Sequence, residues 1–283
     1  MRKLCFWLIC CCTVSFANAS EILILPVTFD KGVPIVSMTI NNNDILFIVD
    51  LGASDALYLS NVDAKKIPNL TYTGKKLKSF DLTGKVTENN EIVVDDLVVS
   101  GLHFGKISGR SYIPWGVNLG ESRGLNPDIS VVGLSFFEGK KVLFDFAAKT
   151  MKITDAATTA MTENDEHWIS VPYVRSAEGL ILVAKSGFGD YRMVLDSPST
   201  LSIIKSKSLK NHEEIGQCKL NLGPNQVCQY ISISVVGSSE LTPVLMNLPE
   251  KFKADGILGR DFFERNSVLL DMANQTLQIK SHL

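Results

Sequence analysis

The chain repeats itself, and this repeat restricts the fold more than any other feature of the sequence. Residues 132–153 align without gaps on residues 258–279, at an offset of 126, with ten of the 22 positions identical. An earlier pair of segments is related by an offset of 146, because Pro26 lies 24 residues before Asp50 and Pro172 lies 24 residues before Asp196. Two blocks in the same order indicate duplication. We therefore predict two similar lobes.

The duplication divides the 283 residues, of which 45% are hydrophobic and 20% charged. This composition suffices for a core in each lobe. We predict a signal peptide at 1–19, an N-terminal lobe at 20–153, a linker at 154–167 and a C-terminal lobe at 168–283. The linker is polar, rich in Ala and Thr and without a hydrophobic period.

Both lobes are predicted to be all-β. Short runs rich in Val, Ile and Phe, bounded by Gly, Asn, Asp or Pro, are typical of strands. These runs are 23–29, 35–40, 46–49, 91–99, 142–146 and 151–153 in the first lobe, and 181–184, 192–195, 231–236, 268–271 and 277–279 in the second. Two short helices are predicted at 135–139 and 261–265, and their Phe-Phe pairs are expected to anchor them in the core.

The first twenty residues have the features of a secretory signal peptide. Arg2 and Lys3 precede a predominantly apolar run of thirteen residues, and Ala17-Asn18-Ala19 is a small-x-small cleavage pattern. Thirteen residues are too few to span a bilayer as a helix, which needs about 20. We predict export to the periplasm or the medium, with no transmembrane anchor after cleavage; a retained single anchor is the alternative.

Four of the six cysteines lie within the predicted signal peptide, which leaves Cys218 and Cys228. In an oxidising compartment this pair, ten residues apart around a Gly-Pro-Asn turn, predicts a disulfide that clips a hairpin. Two buried thiols are the alternative. Because no histidine pair lies near the cysteines, we expect no zinc site, and the sequence predicts no metal or cofactor.

Charge and motifs exclude several classes of function. The net charge is −2 and the basic residues are scattered, so nucleic acid is not an expected partner. The chain has no nucleophile elbow, phosphate-binding glycine loop or zinc-binding His pair, which excludes serine hydrolases, nucleotide enzymes and metalloproteases. The four histidines share no motif and are expected on the surface or in the linker.

Each copy ends an aliphatic strand in an aspartate and later contains an aliphatic-aliphatic-Gly strand. The first element is IVDLGAS at 48–54 and VLDSPST at 194–200; the second is VVG at 131–133 and DGILGRD at 255–261. This arrangement resembles the retropepsin-like and pepsin-like aspartic proteases over nearly the whole mature chain. The resemblance implies two tandem β-barrel lobes with few short helices, and a peptide or protein substrate bound in the cleft between them.

The resemblance also implies a catalytic dyad of Asp50 and Asp196, one from each lobe. Two carboxyl groups about 3 Å apart cannot both ionise, so they share a proton. One carboxylate then takes a proton from water while the other group donates one to the peptide carbonyl. The residues that would support the two aspartate loops are Leu51, Gly52, Ala53, Ser54, Ser197, Pro198, Ser199, Gly133 and Gly259.

Two residues depart from the family pattern. Leu51 replaces the hydroxyl residue that braces one loop against the other, so only Ser197 is left for this role. Pro198 replaces the second glycine, has no N–H to donate and fixes its own φ. Losing that donor is expected to raise the pKa of Asp196. The result is either a working asymmetric dyad or a lobe that has become a binding partner.

Other candidate residues have simpler interpretations. Asp55, Asp128 and Asp255 are expected to be turn or loop residues. Arg260 and Asp261 are expected to form a structural ion pair near the aspartate loop. The segment that covers the cleft is predicted at Tyr72 to Val94, around a turn at 83–85, with the loop from Gly109 to Pro127 as the alternative.

Three functions remain. The first is an exported, monomeric aspartic endopeptidase. The second is an inactive protein of the same fold that binds peptides or proteins. The third is an exported structural protein whose aspartates are only turn residues, which requires Asp50 and Asp196 to lie apart.

Overall fold

A computed structural model describes residues 22–80, 86–112, 129–157, 161, 167–220 and 227–282. The predicted signal peptide, the turn at 83–85, Asp128 and most of the loop from 109 to 127 lie outside this part. The first lobe contains β1 (Leu23–Asp30), β2 (Val33–Ile40), β3 (Asn43–Asp50), β4 (Leu57–Leu59), α1 (Asn61–Ala64), β5 (Leu70–Phe80), β6 (Val86–Val99), β7 (Leu102–Ser111), β8 (Ser130–Gly133), a 3₁₀ helix (Leu134–Phe137), β9 (Lys140–Asp145) and β10 (Thr150–Asp155).

The second lobe follows the same plan with shorter strands. It contains β11 (Ile169–Ser170), β12 (Tyr173–Ser176), β13 (Gly179–Lys185), β14 (Asp190–Leu195), β15 (Ile203–Lys205), a 3₁₀ helix (Ser206–Ser208), β16 (Gly216–Gln217), β17 (Gln229–Tyr230), β18 (Ser234–Val235), β19 (Val244–Met246), β20 (Gly256–Leu258), α2 (Arg260–Arg265), β21 (Asn266–Asp271) and β22 (Thr276–Ser281). The predicted all-β fold with few short helices is confirmed.

The described strands form two sheets. The larger runs β11-β22-β21-β9-β10-β1-β2-β3-β8-β4-β7-β6-β5, and the smaller runs β12-β13-β14-β20-β15-β19-β17-β16, with β18 paired to β13. The larger sheet crosses from one lobe to the other where β9 pairs antiparallel with β21. A single backbone ladder therefore joins the lobes.

The two halves of the duplication are related by symmetry at the junction of β9 and β21. Leu143 pairs with Leu269, and these two residues are equivalent under the offset of 126. A pseudo-twofold axis therefore passes between them, as in a contact between two identical subunits. Met161, from the predicted linker, and Trp168 pack on this pair. Strand β21 is buried along its whole length, which explains its continuous aliphatic run.

Aromatic side chains fill the core on either side of this junction. Phe136, Phe137, Phe262 and Phe263 are all buried, as predicted. Phe263 of the second lobe packs on Phe146 of the first, with ring centroids 5.1 Å apart. The core is thus continuous through both lobes.

Two details of the sequence prediction change and one is confirmed. Of the run 231–236, only Ser234–Val235 forms a strand, because the backbone of Ile233 pairs in an isolated β-bridge with Leu241 instead of extending it. Strand β10 continues to Asp155, two residues into the predicted linker, and Thr154 is fully buried. Cys218 and Cys228 form the predicted disulfide next to the β16–β17 hairpin. No helix in the described ranges is long and apolar enough to cross a membrane.

Candidate functional site

The two aspartates end equivalent strands that lie against equivalent partners. Strand β3 runs parallel to β8, with Asp50 opposite Gly133. Strand β14, which precedes Asp196, runs parallel to β20, with Leu195 opposite Leu258. In both lobes the aliphatic-Gly strand passes directly beneath the aspartate loop.

Gly133 and Gly259 permit this close passage. A Cβ at Gly133 would collide with the carbonyl oxygens of Asp55 and Ala53. A Cβ at Gly259 would lie 2.7 Å from the carbonyl oxygen of Ser199. Only glycine leaves room for backbone to approach this closely. Gly133 and Gly259 thus lie against the aspartate loops, where the resemblance places them.

The two carboxylates meet beside Gly52. A Cβ built on Gly52 would lie 3.2 Å from Asp50 Oδ1 and 3.3 Å from Asp196 Oδ1, so both carboxylates border one point. Asp50 is buried, with 8% of its surface exposed, and Asp196 is half-buried. The structure brings together the two residues that the sequence predicts as a dyad, although 146 positions separate them.

The hydrogen bonds to the two carboxylates differ. Asp50 Oδ1 accepts from the backbone N–H of Gly52 (2.9 Å) and of Ala53 (3.0 Å). On the other side Pro198 has no N–H, and the Ser199 N–H is the backbone donor that favours the charged form of Asp196. The loop of the second lobe therefore has one donor fewer, as the sequence predicts.

Burial raises the pKa of both carboxyl groups. For Asp50 the largest cause is burial, followed by the negative charge of Asp196, and the Gly52 and Ala53 N–H groups only partly offset the rise in its pKa. For Asp196 burial raises the pKa to about 6, against the lowering effect of the Ser199 N–H. Burial is thus the largest cause of the raised pKa of Asp196. The pair retains a proton at pH values where a solvated aspartate has lost it.

The interlobe brace is one-sided. Ser197 Oγ donates to the carbonyl oxygen of Val49 (2.7 Å) and accepts from the backbone N–H of Leu51 (3.2 Å). Leu51 returns no such bonds, and its side chain is fully buried in the hydrophobic core. At this brace the second lobe therefore contributes a side-chain hydroxyl, whereas the side chain at the equivalent position of the first lobe, Leu51, only packs.

A glycine of the second lobe also supports the Asp50 loop. Gly179 follows the β12–β13 turn with φ +116°, and a Cβ there would lie 2.9 Å from the carbonyl oxygen of Leu51 and 3.5 Å from Cα of Gly52. The turn thus lies against the backbone between the aspartate and its glycine. No sequence motif identifies Gly179, because the contact arises only from how the lobes pack.

The remaining predicted loop residues, Ser54, Ala53 and Ser199, make contacts within their own lobes. The Ser54 carbonyl oxygen accepts from Ser135 Oγ (2.7 Å), and Ser199 Oγ donates to the Leu201 carbonyl oxygen (2.8 Å). Ala53 is buried beside Asp50. These contacts fix the shape of each loop without touching the opposite carboxylate.

The predicted ion pair between Arg260 and Asp261 is wrong. Arg260 pairs with Glu264, one helical turn away, and its guanidinium lies 4.9 Å from the ring centroid of Phe29 in the other lobe. Asp261 instead accepts from the N–H (2.9 Å) and the hydroxyl (2.7 Å) of Ser202. The helix beginning at Arg260 directs the two side chains away from each other.

An apolar wall stands beside Asp50. It consists of seven buried side chains and the partly buried Tyr112: Val33, Ile35, Ile48, Ala53, Tyr58, Ile129 and Val131. The pKa values of Tyr58 and Tyr112 are both raised to about 12, mainly by burial; the charge of Asp55 and, less, that of Asp50 add to the rise for Tyr58, and the charge of Asp50 adds to that for Tyr112. Sequence reasoning missed both tyrosines, since the non-local pairing of β4 with β7 brings them to the site.

Asp55 was expected to be only a turn residue, but it also forms an ion pair with Arg110 of β7. The predicted cleft cover from Tyr72 to Val94 lies in the antiparallel hairpin of β5 and β6.

Within the described ranges, no group of three or more His, Cys, Asp or Glu side chains is placed to hold a metal. An open depression of about 510 Å³ lies elsewhere, lined by Phe188, Glu213 and Tyr230 among others.

Comparison with known proteins identifies the fold. No family model and no curated protein matches the chain. Among solved structures, it is similar to basic 7S globulin from soybean (11% identity, TM-score 0.58, 92% of this chain and 95% of that one) and to an aspartic proteinase from Irpex lacteus (14%, 0.54, 92% and 97%). It is also similar to conglutin gamma, a basic 7S globulin from lupine seeds (11%, 0.55, 93% and 95%). The chain has the two-lobed pepsin-like fold.

Proposed function

We propose that the chain is an exported aspartic endopeptidase that cleaves peptide bonds with a water activated between Asp50 and Asp196. The observation that supports this most is that two equivalent loops bring their carboxylates to within 3.3 Å of one point. A structural protein whose aspartates only form turns has no need of this convergence. Because one chain supplies both aspartates, the peptidase acts as a monomer.

We assign the acid to Asp50 and the base to Asp196. Asp50 is the more buried, and the charge of Asp196 raises its pKa further, so it keeps the shared proton. Asp196, with a pKa of about 6, ionises first. Its carboxylate takes a proton from water while the water oxygen attacks the peptide carbonyl carbon, and Asp50 gives its proton to the carbonyl oxygen. Asp196 then gives the proton it took from water to the amide nitrogen, the C–N bond breaks, and a hydroxyl of the tetrahedral intermediate returns a proton to Asp50.

This assignment sets the pH dependence. The active form carries one proton, so activity rises as Asp196 ionises around pH 6 and falls at higher pH as Asp50 ionises. We expect an optimum close to neutral. A strongly acidic optimum contradicts the assignment of roles, though not the dyad itself.

The apolar wall indicates the kind of substrate. Ile48 lies two residues before Asp50 on the same face of β3, and Ala53 and Tyr112 flank it. An extended peptide that places an apolar side chain against Tyr112, the partly exposed member of this wall, excludes water from the dyad. We therefore expect cleavage next to aliphatic or aromatic residues.

The test is cleavage of a peptide library between pH 3 and 8 by the mature protein. Asp50→Asn and Asp196→Asn are the inactive variants, and Asp190→Asn, an exposed aspartate of β14, is the matched control. We expect cleavage by the native protein and the control, inhibited by a pepstatin-type compound. Equal background cleavage by all four proteins rejects a peptidase.

The second candidate is a protein that binds peptides in the same cleft without cleaving them. Leu51 and Pro198 favour it, as does the similarity to two globulins, whose names describe no enzyme. The same library distinguishes the two candidates. Peptides that bind in the micromolar range and are recovered intact support the binding protein.

We also propose export, on the basis of the predicted signal peptide and the disulfide. Expression of the full chain in a secreting host tests this. We expect secreted protein whose N-terminus begins at Ser20. Protein retained in membranes with residues 1–19 intact supports the single anchor.

A further inference from the structure

The β5–β6 hairpin extends beyond the rest of its sheet. Strand β7 ends at Ser111, and its Arg110 pairs with Glu91 of β6. From there the hairpin continues for five more residue pairs, from Lys76 opposite Asn90 to Phe80 opposite Val86. At about 3.4 Å per residue, this part is roughly 15 Å long, and among the described residues no strand pairs with it on the β7 side.

A bulge lets this hairpin bend. The register of β5 against β6 shifts between Tyr72 and Lys76, where Gly74 has φ +84°. A Cβ at Gly74 would meet nothing within 4 Å, so the glycine is required by its conformation and not by packing. Bulges of this kind bend a strand and increase its twist.

Arg110 joins the bent hairpin to the aspartate loop. Its Nη1 donates to Ser79 Oγ (2.7 Å) and to the carbonyl oxygen of Lys78 (3.2 Å), both on β5. Its Nη2 forms the ion pair with Asp55, five residues after Asp50. The guanidinium carbon lies 5.5 Å from the ring centroid of Tyr58, and only 11% of the side chain is exposed.

Ser79 is itself fixed by the other strand of the hairpin. The buried side chain of Asn89 donates from Nδ2 to Ser79 Oγ (2.9 Å). The same hydroxyl oxygen thus accepts hydrogen bonds from Asn89 of β6 and from Arg110 of β7. These bonds hold both strands of the hairpin at one position over the loop.

We propose that Arg110 is a positioning residue that fixes the β5–β6 hairpin over the Asp50 loop. Arginine suits this role because its planar fork donates in two directions at once, which a lysine ammonium cannot reproduce with the same geometry. Removing it frees the hairpin while the bonds of Gly52, Ala53 and Ser197 keep the aspartates in place. The consequence for peptide cleavage rests on the proposed function, whereas the position of the hairpin does not.

The direct test is amide hydrogen exchange of the full mature chain, measured by mass spectrometry. The variants are Arg110→Gln, Arg110→Lys and Ser79→Ala. Lys106→Gln is the matched control, because Lys106 also lies on β7 and pairs with Asp95, but on the exposed surface. Exchange in β9 and β21 reports whether each variant remains folded.

We expect exchange of residues 76–80 to rise by about tenfold in Arg110→Gln, the factor expected for loss of a charge-assisted hydrogen bond. Arg110→Lys should recover only part of the protection, and Ser79→Ala, which leaves no charge unpaired, should resemble Arg110→Gln. Lys106→Gln should match the native protein. Native exchange at 76–80 in both Arg110→Gln and Ser79→Ala overturns the proposal.

Kinetics provide the second measurement. If the native protein cleaves peptides, Arg110→Gln should raise KM more than it lowers kcat, because a loosened hairpin must be ordered again by each substrate. A fall in kcat at unchanged KM contradicts this role. If the native protein cleaves nothing, the proposed function fails, and the exchange experiment still decides the role of Arg110.

Discussion

The two aspartate loops have the same backbone plan and opposite means of support. The Asp50 loop contains a glycine, Gly52, two residues after the aspartate. Ser197 and Gly179 of the other lobe support it, the first by hydrogen bonds and the second by close backbone packing. The Asp196 loop is stiffened from within by Pro198 and receives no hydroxyl from Leu51. The comparison indicates that duplicated halves need not keep equal roles, since one lobe can brace both aspartates.

The largest effect is expected from closing the space between the carboxylates. In Gly52→Ala the new methyl group would lie 3.1 Å from Asp196 Cγ, so one aspartate must shift. A misplacement of 1 Å can cost about 100-fold in kcat/KM, and because this contact asks for a shift of only a few tenths of an ångström, we expect a loss of about 10- to 100-fold. Gly187→Ala, at a glycine with open space around it and no positive φ, is the control in steady-state assays. Unchanged kcat/KM in Gly52→Ala means that the two carboxylates do not act together.

The next effect concerns the one-sided brace. Ser197→Ala removes the two hydrogen bonds that the Ser197 hydroxyl makes to the other lobe. The Leu51 N–H and the Val49 carbonyl oxygen then lose this partner. We expect a loss of about 2–3 kcal/mol in the free energy of unfolding, measured by urea titration. Ser199→Ala, which loses one bond within its own loop, should cost about 1 kcal/mol. Equal losses contradict a special role for Ser197.

A smaller effect appears in how stability depends on pH. Both aspartates have raised pKa values when folded, so folding takes up protons, and stability falls as pH rises from about 4 through 6 and beyond. Asp50→Asn removes one of these groups and the repulsion with it. We expect the difference in free energy of unfolding between the variant and the native protein to be roughly 1–3 kcal/mol more in favour of the variant at pH 8 than at pH 4.

Thermal or urea unfolding across this range measures the gain, with Asp190→Asn as the control. Asp190 is exposed at the start of β14, so its replacement leaves the buried pair intact. A native protein whose stability does not decline between pH 4 and 8 contradicts the buried pair.

The duplication made both lobes, the strands around Asp50 and Asp196 and the loop glycines predictable, and the two cysteines outside the predicted signal peptide made the disulfide predictable. These features depend on local pattern or on a repeated order of segments. Arg110, Tyr112 and Gly179 were not predictable, because the pairing of β4 with β7 and the packing of the β12–β13 turn on the opposite lobe create their contacts. Arg260 and Asp261 were paired wrongly because adjacent side chains on a helix point in different directions.

The smallest effect tests whether Pro198 causes part of the asymmetry. Pro198→Gly restores an N–H at the position where Gly52 donates to Asp50, and a hydrogen bond to a carboxylate favours its charged form. The pKa of Asp196 should therefore fall from about 6 by roughly one unit, since a bond to a charged group contributes about 1.5 kcal/mol. The acidic limb of the kcat/KM profile should move to lower pH by the same amount. Pro198→Ala has the N–H without the flexibility of glycine, so a shift in both variants attributes the effect to the donor. A shift in Pro198→Gly alone assigns it to backbone freedom, and no shift in either means that burial alone sets the pKa of Asp196.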